Sequence, residues 1–238
     1  MPETLEDLVM MQPPTAERPL LGSMILVVED SRHACEAMRL ICQRSGARIR
    51  RAESLASAER HLRTYRPRIA VIDLGLPDGS GLALIERLAS TEPRLEGIIA
   101  TSGDESLREA AIKAGADTFL AKPLLSVSQF QQVALALLPD QARHIVVATN
   151  AVDDVTPDPI SLRDDLSLAA ELLRVEADQA TLDYVAGFLA GIAKCADQPR
   201  IAELGDMVRQ LSTNAPDQKS AHAIALRIEE EATAFETV

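Results

Sequence analysis

The feature that most constrains the fold is the run Ile69-Ala70-Val71-Ile72, which stops at Asp73 and enters the turn Leu74-Gly75-Leu76-Pro77-Asp78-Gly79-Ser80-Gly81. An apolar run bounded by Pro67 and a Pro/Gly-rich turn reads as a buried strand, with Asp73 closing its C-terminal end. Other apolar runs end in the same abrupt way. Met24–Val28 stops at Glu29-Asp30-Ser31, Gly97–Thr101 at Ser102-Gly103-Asp104, and Thr118–Ala121 at Lys122-Pro123. If these strands lie parallel, their ends share the sheet edge at which open α/β sheets bind ligands. Three carboxylates, a hydroxyl and an ammonium then meet in one shallow site.

Between the strands the pattern turns helical. Helices are expected over about 32–43, from the capping Ser54 to about Tyr65, and over about 82–90, 106–114 and 127–138, with a further strand over 48–52. Strands alternating with helices demand a parallel sheet covered on both faces. Cys35 and Cys42 fall seven residues apart on one face of the first helix and read as small apolar residues, not a redox or metal pair.

Taken together and in this order, the acid pair Glu29-Asp30, Asp73 with its Leu-Pro-Asp-Gly-Ser-Gly turn, Ser102-Gly103, and Lys122-Pro123 preceded by Phe119 resemble the receiver domain of two-component response regulators. The resemblance covers about residues 24–138. It implies a flavodoxin-like, doubly wound five-stranded parallel sheet of order 2-1-3-4-5. It implies a bacterial signalling protein that catalyses only its own phosphorylation and dephosphorylation, with a sensor histidine kinase or histidine phosphotransfer protein as phosphodonor.

The chemistry of the residues agrees. Glu29, Asp30 and Asp73 brought together repel one another unless a cation offsets them, and an all-oxygen, water-keeping site suits Mg²⁺ better than Ca²⁺. The resemblance implies that Asp30 and Asp73 ligate the metal directly, Glu29 acts through water and the Gly75 carbonyl adds a ligand. Asp73 is then the phosphoacceptor, with Lys122 neutralising charge and the Ser102 hydroxyl donating to a phosphoryl oxygen. Phe119 is expected to turn inward as Ser102 moves, remodelling the face of the fourth helix, fifth strand and fifth helix, and the Lys122–Pro123 bond is expected to be cis. Phe119 lacks the hydroxyl of the tyrosine commoner in that family.

The rest of the chain is organised around this domain. Residues 1–23 read as a flexible leader, 24–140 as the receiver, 141–160 as a linker in which Ile145–Thr149 could form an extra edge strand, and 161–238 as a separate all-α bundle. In the bundle, Ser161 with Asp164 suggests a capping box, Asp178 opens a second helix, Asp197 with Pro199 a third, and Ala221 to Phe235 lie on a fourth. The semi-rigid Pro157/Pro159 connection is expected to seat the bundle on the receiver's last helix.

Charge bears on what the bundle does. Of the net −12, residues 141–238 carry eight bases and seventeen acids, which is −9, whereas residues 24–140 are neutral at fifteen of each. A domain this acidic repels phosphate backbones, so a protein-interaction or dimerisation bundle is expected, with no nucleic acid as partner. The alternative is an atypical phosphotransfer module using His222, although Ala225 and Leu226 stand where the lysine and glycine of such a motif belong. No run is long and apolar enough to span a bilayer, the N-terminus lacks the basic flank of a signal peptide, and three cysteines do not suggest a disulfide framework. A cytoplasmic protein with no membrane partner is the expectation.

Overall fold

In the computed structural model, which describes residues 13–138, 153–214 and 216–235, the apolar runs are strands and their neighbours helices. The elements begin β1 (Met24–Val28), α1 (Arg32–Ser45), β2 (Arg48–Ala52), α2 (Leu55–Thr64) and β3 (Ile69–Asp73). A hairpin of β4 (Gly75–Leu76) and β5 (Gly79–Ser80) follows, then α3 (Gly81–Ala89) and β6 (Gly97–Ser102). A 3₁₀ turn at Glu105–Leu107 leads into α4 (Arg108–Ala114), β7 (Thr118–Ala121) and α5 (Val127–Leu137). The five long strands are parallel in the order β2-β1-β3-β6-β7, the expected 2-1-3-4-5 once the hairpin is set aside.

Both sheet faces are covered, and the strand residues divide accordingly. Ile25, Val27, Val71 and Ile99 pack with Met38, Ile41 and Phe130 of α1 and α5, while Leu26, Val28, Ile72 and Ile98 pack with Ile85 of α3, Ala111 of α4 and Phe119. This two-sided burial is why these strands read as continuous apolar runs. Cys35 and Cys42 are both buried on α1.

The end of the expected leader is ordered. Leu20 is fully buried in the α1/α5 core, its N–H donates to the Ser45 carbonyl at 2.9 Å, and the Arg48 N–H donates to the Ser23 carbonyl at 2.9 Å. Residues 18–23 therefore belong to the α/β domain: a leucine in a polar run was worth more to the core than the run's composition suggested. The amphipathic stretch over 5–11 and the Ile145–Thr149 segment lie outside the described residues.

The end of the expected linker is likewise tied down. Val155 is buried in the α1/α5 core, the Val127 N–H donates to the Asp153 carbonyl, and the Asp153 carboxylate accepts from the Ser128 N–H at 2.8 Å. The bundle follows as α6 (Pro159–Val175), α7 (Gln179–Ala196), α8 (Pro199–Asn214) and α9 (Gln218–Thr233). Asp158, not Ser161, caps α6: its side chain accepts from the Ile160 N–H, and Pro159 occupies the first turn, where a missing N–H costs nothing. Asp164 turns instead to Arg32 of α1, at 2.7 Å. The α6/α9 and α7/α8 pairs bury Leu166, Leu173, Leu189, Ile192, Val208 and Ile228 in a core of their own.

The bundle does not sit on the last helix of the α/β domain. It lies against the N-terminal end of α1 and against the β4 hairpin, through α6 and α7. The connector accounts for this, because the Val155 anchor and an Arg44 to Asp154 carbonyl bond carry the chain along α1. No described helix is long and apolar enough to cross a membrane.

Candidate functional site

Four strand ends build the site. Glu29 and Asp30 follow β1, Asp73 ends β3, Ser102 ends β6 and Lys122 follows β7. One ligand oxygen from each of Glu29, Asp30 and Asp73 lies within 4.8 Å of the others. The Lys122 Nζ stands 2.6 Å from Glu29 Oε2 and 3.3 Å from Asp73 Oδ1. All of these side chains except Asp30 are buried, so the charges meet with little water to screen them.

The electrostatics follow. Burial pushes Glu29 up to about 8, the Lys122 ammonium pulling it back while the Asp73 and Asp30 carboxylates add to the rise. Burial likewise raises Asp30 to about 6, against a hydrogen bond from Tyr184. For Lys122 burial works against the charge, but Asp73 and Glu29 outweigh it and hold the ammonium well above the ordinary lysine value. Three acids facing one base leave a deficit of positive charge, and all the donors are oxygens. That donor set fits a hard divalent cation.

Local structure explains the placement. Ser31 caps α1 by accepting from the Ala34 N–H, which turns the chain sharply after the acid pair. After Asp73 the hairpin brings Asp78 to the start of α2, where its oxygens accept from the Leu55 and Ala56 N–H groups at 2.8 and 2.9 Å. The Leu-Pro-Asp-Gly turn thus also caps a helix. The Ser102 hydroxyl accepts from the Asp104 N–H at 3.1 Å, and the Lys122–Pro123 peptide is cis. Phe119 is already inside, 3% exposed, with the Arg108 guanidinium 4.8 Å from its ring centroid.

Several residues around the site come from the bundle. The Tyr184 hydroxyl donates to Asp30 Oδ2 at 2.6 Å, and Lys194 Nζ donates to the Gly103 carbonyl at 2.8 Å. Gly187, Phe188, Gly191 and Cys195 of α7 line a cavity of about 600 Å³ with Asp30, Asp73, Ser102 and Lys122. Asp165, fully buried on α6, accepts from the Ser31 hydroxyl at 2.8 Å and from the Arg32 and His33 N–H groups at 2.8 and 3.1 Å. The sequence held one signal for this. Tyr184, Gly187, Gly191 and Cys195 follow helical spacing opposite the stripe that packs the bundle core. Among the described residues no histidine lines the cavity, and His222 is exposed on α9, which packs on α6 and α8.

Residues 25–134 match the family model described as the response regulator receiver domain. The chain is 28% identical over 160 residues to the virulence transcriptional regulatory protein PhoP of Salmonella typhi, a match covering 66% of this chain and 69% of that one. It is 29% identical over 161 residues to the transcriptional regulatory protein PhoP of Escherichia coli K12, covering 66% of this chain. Among solved structures, the receiver domain of NtrX from Brucella abortus aligns at 28% identity and a TM-score of 0.45, over 49% of this chain and 98% of that one.

Proposed function

Residues 25–134 belong to the response regulator receiver domain family of two-component signalling, and from that premise we propose that Asp73 is the phosphoacceptor of a cytoplasmic phosphorelay protein. The observation that carries the reading is the convergence of Glu29, Asp30 and Asp73 oxygens within 4.8 Å, with the Lys122 ammonium on two of them. Asp30, Asp73 and the Gly75 carbonyl would hold Mg²⁺, with Glu29 acting through water. When bound, the cation supplies charge neutralisation for phosphoryl oxygens.

The chain's own groups do the rest. The Asp73 carboxylate attacks the phosphorus of a phosphohistidine on a sensor kinase or phosphotransfer protein. An O–P bond forms, the P–N bond breaks, and the imidazole leaves with the electron pair and takes a proton from solvent. Lys122 pairs with a phosphoryl oxygen, and Ser102 gives up its contact with the Asp104 N–H to donate to another. Phe119, against which Arg108 stacks, would respond to that movement. The bundle is then a protein-interaction or dimerisation module, a reading supported by its −9 charge over residues 141–238. The similarity to PhoP, named as a transcriptional regulatory protein, makes transcriptional output the competing reading.

Intact-mass spectra after incubation with Mg²⁺ and a small phosphodonor test both parts. Wild-type protein should gain one phosphoryl group, Asp73→Ala none, and excess chelator should suppress the gain; undiminished labelling of Asp73→Ala would overturn the assignment. The same protein, labelled or not, should show no salt-sensitive binding to duplex DNA. Binding that falls steeply with added salt would give the bundle to transcription instead.

A further inference from the structure

The bundle's position over the Asp73 site adds something that the receiver reading does not contain. In-line attack by Asp73 requires the leaving imidazole on the far side of phosphorus, within the cavity that α7 roofs. A donor histidine arrives on a protein backbone, and in this arrangement the α7 backbone is already there. Gly191 Cα lies 3.8 Å from the position a Cβ on Gly103 would take, so helix and loop meet almost backbone to backbone. Tyr184 holds an oxygen of Asp30, and Lys194 holds the Gly103 carbonyl beside Ser102.

The contact is also built to let go. The three apolar cores are separate: the bundle's cluster runs from Leu162 to Ala232, and neither cluster of the α/β domain includes a residue of α6 to α9. The bonds that cross between the two parts include Tyr184 to Asp30, Lys194 to Gly103, Arg32 to Asp164, and Asp165 on the first turn of α1. Interfaces joined by hydrogen bonds without a shared core exchange readily with water.

Resting on the receiver reading, we infer that the helical bundle is a reversible cover over the phosphoacceptor site, occupying the face on which a phosphohistidine-bearing protein must dock and holding Asp30 through the Tyr184 hydroxyl. Closed, it excludes a protein donor and engages a carboxylate that the cation needs. Open, it exposes both the donor's docking face and the bundle's own α7 face. Because linkage is reciprocal, whatever factor the cover takes from cation affinity is the factor by which the cation favours opening.

The test uses the full chain with Mg²⁺, alone and with beryllium fluoride as an aspartyl phosphate mimic. Calorimetric Mg²⁺ affinity should rise three- to tenfold in Tyr184→Phe and in Asp165→Ala, two changes on different helices. Hydrogen exchange at 31–34 and 182–196 should quicken in wild type when Mg²⁺ and beryllium fluoride are added, and should already be quick in Asp165→Ala. Mg²⁺ binding confined to the two variants would support the cover in its strictest form. Equal affinity in all three proteins, or slower exchange at 182–196 on loading, would overturn the cover and leave the phosphoacceptor reading standing. No Mg²⁺ binding in any of them would remove the site reading, and the cover with it.

Discussion

Gly81 shows how tightly the chain is folded around Asp73. A Cβ at this position would stand 2.0 Å from the Asp73 carbonyl oxygen and 3.0 Å from Leu74 Cα, and backbone atoms cannot swing aside as a side chain would. The first turn of α3 therefore passes directly over the end of β3, with the Gly81 N–H donating to the Leu74 carbonyl at 3.1 Å. We expect Gly81→Ala to destabilise the α/β domain by about 1–3 kcal/mol, the usual cost of forcing atoms into a filled space. It should also slow Asp73 labelling, because relief of the clash displaces the proposed phosphoacceptor itself. An unchanged denaturant midpoint with unchanged labelling would show that the turn relaxes without cost. Lys122 presents the reverse case, in which a buried charge is kept by its partners: the carboxylates of Asp73 and Glu29 outweigh burial.

Among the elements, most helix starts follow one rule, α4 after Leu107 being an exception. Ser31, Ser54, Ser80, Asp104, Ser126, Asp158, Asp178 and Asp217 each present a side-chain oxygen to an N–H of the turn that follows. Bonds from Ser106, Thr181 and Ser220 hold Asp104, Asp178 and Asp217 below the ordinary carboxylate value. A carboxyl depressed in the folded state contributes stability above its unfolded value of about 3.9, and that contribution is lost as pH falls through the folded value. The first turns of the 3₁₀ segment, α7 and α9 should therefore loosen below about pH 4, earlier than α3, whose Ser80 cap does not titrate. Segment-resolved hydrogen exchange at pH 5 and pH 3 checks this order, and uniform loosening would contradict it. These caps also show what was legible in the sequence. Parallel strands buried on both faces declare themselves as apolar runs, so the strand ends, and with them Glu29, Asp30, Asp73, Ser102 and Lys122, could be read directly. The two-residue strands at Gly75–Leu76 and Gly79–Ser80 carry no period to read. The spacing of Ser161 and Asp164 imitated a cap, while the better one lay at Asp158-Pro159 and Asp164 served Arg32, more than a hundred residues away. Tyr184, Asp165 and Lys194 escaped for that same reason: their partners are distant in sequence, and local pattern carries no record of such a pairing.

For the whole molecule, the separation of the cores decides how it should unfold. The sheet and its helices bury two clusters, one on each face, which share the strands and cannot be lost independently. The bundle buries a third cluster that shares no residue with the others, and a partly exposed pair across the boundary such as Arg32–Asp164 adds about 1 kcal/mol at most. Docking of that strength does not weld two cores into one cooperative unit. Leu189 is fully buried in the bundle between α7 and α8, and Leu189→Ala should cost about 2–5 kcal/mol there. Calorimetry of the full chain should then resolve two transitions, with the lower one moving further down in Leu189→Ala. The transition belonging to the α/β domain should stay in place, since sites without shared partners act additively. A single transition that moves as a whole would mean that the polar contacts at Asp30, Asp165 and Gly103 couple the two parts far more strongly than their chemistry suggests. In that case the bundle would be a permanent wall of the Asp73 site, and phosphodonors would have to reach the aspartate through the 600 Å³ cavity alone.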